Sequence, residues 1–163
     1  MSGIKKILVP TDFSEASKAA LKYACELATA TNASLCILHA FEDPYPVGGC
    51  PEHCSLPQDY FEHFDRSARR RLDAFVEAVV APDEGKQHRV RLVVRRGTAA
   101  PQILRYLHEH DDIDLVVMAT HGRGGVARLM MGSVADKIVR AAKCPVLTIP
   151  LPIVENTKTR KAA

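Results

Sequence analysis

In this chain of 163 residues, the segment whose residue types most clearly suit ligand binding lies between Gly122 and Ser133 and has the sequence GRGGVARLMMGS. Glycine lets a backbone come close to an anion. The helical pattern that begins at Gly132-Ser133 would present backbone N–H groups and the positive end of its dipole. The spacing therefore predicts a site for an anion, and a phosphate group is the natural ligand.

Two familiar phosphate motifs do not explain this segment. The sequence has no G-x-x-x-x-G-K-[ST], which excludes a P-loop with its lysine. Gly122, Gly124 and Ala127 match G-x-G-x-x-A, but the strand before them is the fourth. The residues about twenty positions further on, Ala141 and Ala142, offer no acid for a ribose. The dinucleotide match is weak.

Simpler structural interpretations stand beside the functional ones. Ser133 and Asp136 have the spacing of a capping pair at a helix start. Asp12 can cap the turn into the helix that begins near Ser14. His39, at a strand end, is interpreted as a half-buried histidine with satisfied hydrogen bonds rather than a catalytic base.

Hydrophobic periodicity predicts five strands alternating with four helices. The strands are Lys5 to Pro10, Ser34 to Ala40, Val90 to Val94, Leu115 to Ala119 and Pro145 to Ile149. The helices are Ser14 to Thr31, Gln58 to Val80, about Ala99 to His110, and one opening at Gly132-Ser133. The first helix is expected to pack through Ala16, Ala19, Ala20, Tyr23, Cys25 and Leu27, and the last through Val134, Ile138, Ala141 and Ala142.

This alternation predicts a single-domain α/β fold with an open, mainly parallel five-stranded sheet and helices on both faces. The favoured strand order is 3-2-1-4-5, which the spacing alone does not establish. Ligands of such sheets bind beyond the carboxyl ends of strands, where the strand order reverses. That point lies between the first and fourth strands. The segments Pro10-Thr11-Asp12 and Ala119 to Ser133 are expected to meet there.

Composition places the chain among ordinary soluble globular proteins, with 47% apolar and 25% charged residues. A domain over 1–152 is expected, with a long loop at 42–57 and a polar tail at 153–163. No secretory signal or membrane span is recognised, so the expected location is the cytoplasm. The net charge of +3 is too small to predict nucleic-acid binding. Arg69, Arg70 and Arg71 are interpreted as a solvated helix face, with a polyanion contact as the alternative.

The five cysteines fall into two groups. Cys25, Cys36 and Cys144 lie in apolar periodic segments, which indicates reduced thiols packed in a core. Cys50, His53 and Cys54, in CPEHC, have the types of zinc ligands but supply at most three of the usual four, unless His63 or a partner chain completes the set. A redox-sensitive thiol pair and a simple variable loop are the other interpretations of this segment.

Nearly the whole chain resembles the universal stress protein family. The resemblance is carried by KKILVPTDFSEASKAAL, LCILHAF, RRGTAAPQIL, LVVMATHGR, the helix headed by Gly132-Ser133, and CPVLTIP. The ATP-binding branch of that family carries G-x2-G-x9-G-[ST], matched here by Gly122, Gly132 and Ser133. The first glycine of the motif is Ala119 in this sequence, which adds a methyl group beside the expected ribose.

The resemblance implies an adenine nucleotide, ATP with Mg²⁺, and a nucleotide-dependent stress-response module without efficient catalysis. The alternatives are a slow Mg²⁺-dependent ATPase or phosphotransferase, and an interaction module of the same family that binds no nucleotide. The family also implies a homodimer formed through the C-terminal edge strand. Asp12 is expected at the ribose or base, Ala40 and Met118 at the base, and the motif residues at the phosphates. His121 and Arg123 are either phosphate contacts or solvated. The implied binding residues are Pro10, Thr11, Asp12, Ala40, Met118, Ala119, His121, Gly122, Arg123, Gly132, Ser133 and Val134.

Overall fold

The computed structural model describes residues 3–42, 60–80, 89–120 and 131–150. Its strands are β1 (Lys6–Pro10), β2 (Ser34–Phe41), β3 (Val90–Arg96), β4 (Leu115–Ala119) and β5 (Val146–Ile149). Its helices are α1 (Glu15–Thr31), α2 (Tyr60–Glu77), α3 (Ala99–Glu109) and α4 (Ser133–Ala141). The predicted elements are all present, and most of their ends agree within two residues.

The five strands form one sheet of order β3-β2-β1-β4-β5. Every pairing is parallel. The predicted fold class and strand order are therefore confirmed. β1 lies at the centre, between β2 and β4, so the direction of chain progression reverses there.

Alternating strand residues build a separate apolar core on each face of the sheet. Ile7 and Val9 of β1 face the core beneath α1 and α2, whereas Leu8 faces the core beneath α3 and α4. β4 divides in the same way, with Val117 in the first core and Val116 in the second. Both faces are thus covered by helices, which explains the nearly continuous apolar runs of the inner strands.

Two predicted helix faces need correction. In α1, Tyr23 is exposed at 45%, while the buried positions include Leu21, Ala24 and Ala28. In α4, Ala141 is exposed, and Ala135 is buried with Ile138 instead. Each buried face is rotated from the predicted one by a fraction of a turn, so residues at its margin change sides.

The two edges of the sheet differ. At the β3 edge, Nη1 of Arg69 on α2 donates a hydrogen bond to the carbonyl oxygen of Leu92 at 2.9 Å. Asp65 of α2 also pairs with Arg96 at the end of β3, at 3.1 Å. α2 therefore covers part of this edge. Among the described strands, β5 forms the opposite edge and pairs with β4.

Among the residues described, no helix is both long and apolar enough to cross a membrane. The predicted C-terminal tail, most of the predicted long loop and the glycine-rich segment 121–130 lie outside the described residues.

Candidate functional site

The carboxyl ends of three strands and the start of one helix converge at a single edge of the sheet. The register pairs Pro10 with Leu38, and Leu8 with Val116, so β1, β2 and β4 end at similar levels. The amide of Gly132, just before α4, donates to the carbonyl oxygen of Thr120 at 2.7 Å. The start of α4 therefore lies beside the end of β4, as a ligand site at the point of reversal requires.

Thr11 anchors the first wall of this crevice. Its side chain is only 7% exposed. Its amide donates to Leu38 O at 2.9 Å, and its hydroxyl donates to Ser17 Oγ at 3.0 Å. Because its own carbonyl oxygen accepts from His39 Nδ1 at 2.9 Å, that ring nitrogen carries the proton. The residue is held by the backbone of β2, by the side chain of His39 and by α1.

Asp12 follows directly and is partly exposed. Its Oδ1 accepts hydrogen bonds from the amide of Ser14 at 3.0 Å and from the Ser14 hydroxyl at 2.6 Å. Ser14 is in turn the N-cap of α1 and accepts from the amide of Ser17. The structural interpretation of Asp12, as a residue that fixes the turn into α1, is therefore confirmed. A carboxylate held in this way is also preorganised to meet a ligand.

The start of α4 differs from the predicted capping pair. Gly132 occupies the N-cap position without a side-chain hydrogen bond, and Ser133 is the first helical residue. Asp136 pairs with Arg140 at 2.9 Å, and its amide donates to Gly132 O. The capping-pair interpretation of Ser133 and Asp136 is therefore wrong. The Gly132 amide donates to Thr120 O, and the first bond within the helix comes from the Asp136 amide. The amides of Ser133, Val134 and Ala135 therefore have no acceptor within α4, and those of Ser133 and Val134 belong to the residues that are not buried.

The remaining predicted contact residues are distributed around this edge. Pro10 and Met118 are buried, whereas Ala40, Ala119 and Val134 are partly exposed and Ser133 is exposed. The predicted residues His121, Gly122 and Arg123 lie outside the described residues, as do Cys50, His53 and Cys54 of the weak metal site. Within the described parts of the chain, no group of three or more His, Cys, Asp or Glu side chains could hold a metal ion.

The described cysteines are structural. Cys25, Cys36 and Cys144 carry reduced thiols, and the first two are buried. Cys36 Sγ lies 3.2 Å from the Tyr106 hydroxyl in the core beneath α3. Burial raises the pKa of both groups, so both are neutral at physiological pH. The core interpretation of these cysteines is confirmed.

Two features of the site were not predicted from the sequence. Ser17 is buried at 3% exposure and links the Thr11 hydroxyl to α1. Phe13 has a positive φ of 66°, and its ring stacks near His39 with centroids 4.1 Å apart. A hydroxyl on an alanine-rich helix face was the available signal for Ser17. A left-handed phenylalanine has no sequence signal, because its conformation depends on contacts from distant elements.

The parallel sheet with helices on both faces, and the reversal of strand order at β1, define an open α/β protein. The sequence over residues 3–150 matches the universal stress protein family. The chain belongs to this family.

Individual relatives cover almost the whole chain. Universal stress protein A homolog 1 of Coxiella burnetii is 33% identical over 149 residues, which are 89% of this chain and 95% of that protein. A universal stress protein of Methanocaldococcus jannaschii is 29% identical over 150 residues, with 91% and 83% covered.

Solved structures show the same fold at low identity. A universal stress protein in complex with cAMP is 23% identical, with a TM-score of 0.58 and coverage of 91% of this chain and 98% of that one. A family protein of Arabidopsis thaliana with AMP bound is 20% identical, with a TM-score of 0.57 and coverage of 90% and 91%.

Proposed function

We propose that this protein binds an adenine nucleotide, ATP with Mg²⁺, in the crevice between β1, β4 and the start of α4, and acts as a nucleotide-dependent stress-response module in the cytoplasm. The observation that supports this proposal is that β1, which Asp12 follows closely, and β4 are adjacent where the strand order reverses, and that the start of α4, without a side-chain cap, is bonded to Thr120 at the end of β4. Two structural neighbours bind cAMP and AMP, which supports an adenine nucleotide as the ligand class.

The physical basis is the pairing of a helix start with an anionic ligand. The amides of Ser133 and Val134 have no acceptor within α4, and Gly132 places no side chain over them. Each hydrogen bond to a charged oxygen contributes about 1.5–3 kcal/mol, so a few such bonds suffice for micromolar affinity. Pro10, Thr11, Asp12, Ala40 and Met118 then form the wall for the nucleoside, and Gly122 with its neighbours His121 and Arg123 the remainder of the phosphate loop.

Regulation rather than turnover suits this arrangement. The Asp12 carboxylate accepts hydrogen bonds from the amide and hydroxyl of Ser14, an arrangement that suits orienting a ligand rather than accepting a proton in catalysis. The reduced thiols of Cys25, Cys36 and Cys144 agree with a reducing cytoplasm. A nucleotide that binds one conformation more tightly than another shifts the population toward it and so signals through shape.

One observation favours a second candidate, an interaction module without nucleotide. Ala119 stands where the ATP-binding branch has the first glycine of its motif, and it is the last residue of β4, so its methyl group lies at the carboxyl end of that strand. The variant Ala119→Gly separates the two candidates. A nucleotide-binding protein is expected to gain affinity several-fold when this methyl group is removed, whereas a module without a nucleotide site gains nothing.

The decisive experiment is to denature the purified protein and identify the small molecules it releases, followed by calorimetric titration with ATP, ADP, AMP and cAMP. Release of an adenine nucleotide, or micromolar binding of one, supports the proposal. Hydrolysis with Mg²⁺ far above background, lost in Asp12→Ala, would replace it by the ATPase or phosphotransferase alternative. No retained nucleotide together with no titration signal at millimolar ligand would contradict it.

A further inference from the structure

One aromatic side chain beside the proposed site has no role in the family motif, and its geometry is unusual. Phe13 follows Asp12 and takes a φ of 66°. We propose that Phe13 is a positioning residue whose clamped ring holds the turn that carries Asp12. This inference rests on the proposed function, since it takes Asp12 to contact the nucleotide.

The backbone of this turn is strained at Phe13. A bulky residue with positive φ is a genuine outlier, because its Cβ crowds the following carbonyl group. The other described non-glycine residue with positive φ is Asn32, which ends α1, a position where asparagine is common. Strained residues of the Phe13 kind persist only where the surroundings determine them.

Contacts from two other elements hold Phe13 in this strained conformation. The ring centroid of Phe13 lies 4.1 Å from that of His39 on β2 and 5.4 Å from that of Phe75 on α2, the latter edge to face. The guanidinium carbon of Arg71, also on α2, lies 4.8 Å from the Phe13 ring centroid. Aromatic pairs and a cation over a ring face are both attractive. We call these three contacts the Phe13 clamp.

The clamp acts directly on the segment that carries Asp12. The amide of Phe13 donates to Thr11 Oγ1 at 3.1 Å, and the next amide, of Ser14, donates to Asp12 Oδ1 at 3.0 Å. His39 contacts the Phe13 ring and also donates to Thr11 O, so one side chain holds both ends of the turn. Without the ring, Phe13 can relax to negative φ, and that rotation redirects the peptide that follows Asp12.

The test is a double-mutant cycle on ATP affinity, measured by titration calorimetry with Phe13→Leu, Asp12→Asn and the double variant. Phe13→Leu is expected to weaken ATP binding about tenfold alone and to have little further effect when Asp12→Asn is present, the non-additivity of residues that act as one unit. Phe13→Tyr keeps the ring and is expected to retain wild-type affinity. Ile113→Ala, in the apolar core before the start of β4, loses stability but is expected to keep its affinity.

Three results overturn the inference. The first is that Phe13→Leu binds ATP as tightly as the wild type. The second is that the losses of affinity from Phe13→Leu and Asp12→Asn are independent, so that the double variant shows both in full. The third is that Ile113→Ala, at a loss of stability equal to that of Phe13→Leu, loses as much ATP affinity. Should Phe13→Leu fail to fold, Arg71→Met removes the cation from the ring face, and unchanged affinity in that variant is equally contradictory. If the wild type itself binds no adenine nucleotide, the proposed function fails as well. If it binds and Phe13→Leu is unaffected, only the inference about Phe13 fails.

Discussion

Ser14 shows how much one hydroxyl group can organise. It is the N-cap of α1, where Oγ accepts from the amide of Ser17 at 3.1 Å and donates to Asp12 Oδ1 at 2.6 Å. The same residue therefore stabilises a helix and fixes a carboxylate at the candidate site. Thr98 occupies the corresponding position of α3 but makes no side-chain capping hydrogen bond.

This difference predicts unequal costs for removing the two hydroxyl groups. Ser14→Ala is expected to lower the free energy of unfolding by about 1 kcal/mol or more, because a cap bond and a bond to a carboxylate are both lost. Thr98→Ala is the matched control and is expected to lower the free energy of unfolding by only a few tenths of that amount. Urea unfolding measures both, and an equal loss in the two variants would contradict the assignment of the cap.

A second residue-scale prediction concerns acid stability. The hydrogen bond from Lys6 Nζ, at 2.7 Å, holds the pKa of Asp112 below its ordinary value. A carboxyl group with a lowered folded-state pKa contributes stability above its unfolded pKa, and the contribution is lost as the pH falls through the folded pKa. The Asp112 side chain is 66% exposed, so the contribution is small and screened by salt.

Asp112→Asn is therefore expected to lower the urea midpoint slightly at pH 6 and low salt, with the difference shrinking below about pH 4. The control is Lys6→Met, in which Asp112→Asn should have little further effect. A difference that persists unchanged to pH 2 would show that Asp112 acts through something other than its charge.

At the scale of elements, hydrophobic period was enough to predict the strands, whereas their order was chosen as the favoured arrangement of such folds and is confirmed by the structure. β4 is a clear case, because five consecutive apolar residues followed by turn-prone glycines are typical of a short strand covered on both faces. The helix faces were less well predicted. Tyr23 and Ala141 were placed inside but lie outside, since the precise rotation of a helix depends on the sheet beneath it.

Some features of the candidate site could be predicted from the sequence and others could not. The adjacency of the ends of β1 and β4, and the position of the start of α4 beside the end of β4, follow from topology once the strand order is assumed. The engagement of the Gly132 amide by Thr120, and the left-handed Phe13, depend on tertiary contacts that leave no trace in local pattern.

The turn between β3 and α3 provides a prediction at this scale. Gly97 has a φ of 122°, and its amide donates to Phe41 O at 2.7 Å. Gly97→Ala is expected to lower the free energy of unfolding by about 1–3 kcal/mol, because an L-residue is strained at this φ. An added Cβ would also lie 2.7 Å from the side-chain nitrogen of Gln102, which can move aside.

Gly3→Ala is the matched control for Gly97→Ala. An added Cβ there meets nothing within 4 Å, so its effect is expected to stay within about 0.5 kcal/mol. Thermal or urea unfolding of the two variants measures the contrast. Equal stability of Gly97→Ala and the wild type would show that the turn adopts another conformation.

At the scale of the whole molecule, we propose a homodimer in which two copies pair through β5. The carbonyl oxygens of Pro145 and Ile149 accept bonds from β4, so the alternate residues Val146 and Thr148 direct their backbone groups away from the sheet. Within the described residues no strand lies beyond β5, and outward-facing backbone groups of this kind favour addition of another strand.

Thr148→Pro removes one outward N–H without touching the bonds to β4, and is expected to convert the dimer to a monomer at micromolar concentration. Thr148→Val keeps the amide and should remain dimeric. Light scattering coupled to size exclusion gives the mass of each, and a wild-type monomer, or a dimer unaffected by proline, would exclude this interface.

The guanidinium group of Arg69, lying across the outer carbonyl of Leu92, has a consequence for growth of the assembly. A sheet that accepted strands on both sides would extend into a fibre as copies were added. Here α2 covers part of one side, so in the proposed dimer, where the other side is used for pairing, further strand addition is disfavoured. One arginine on α2 thus favours an assembly that stops at two copies.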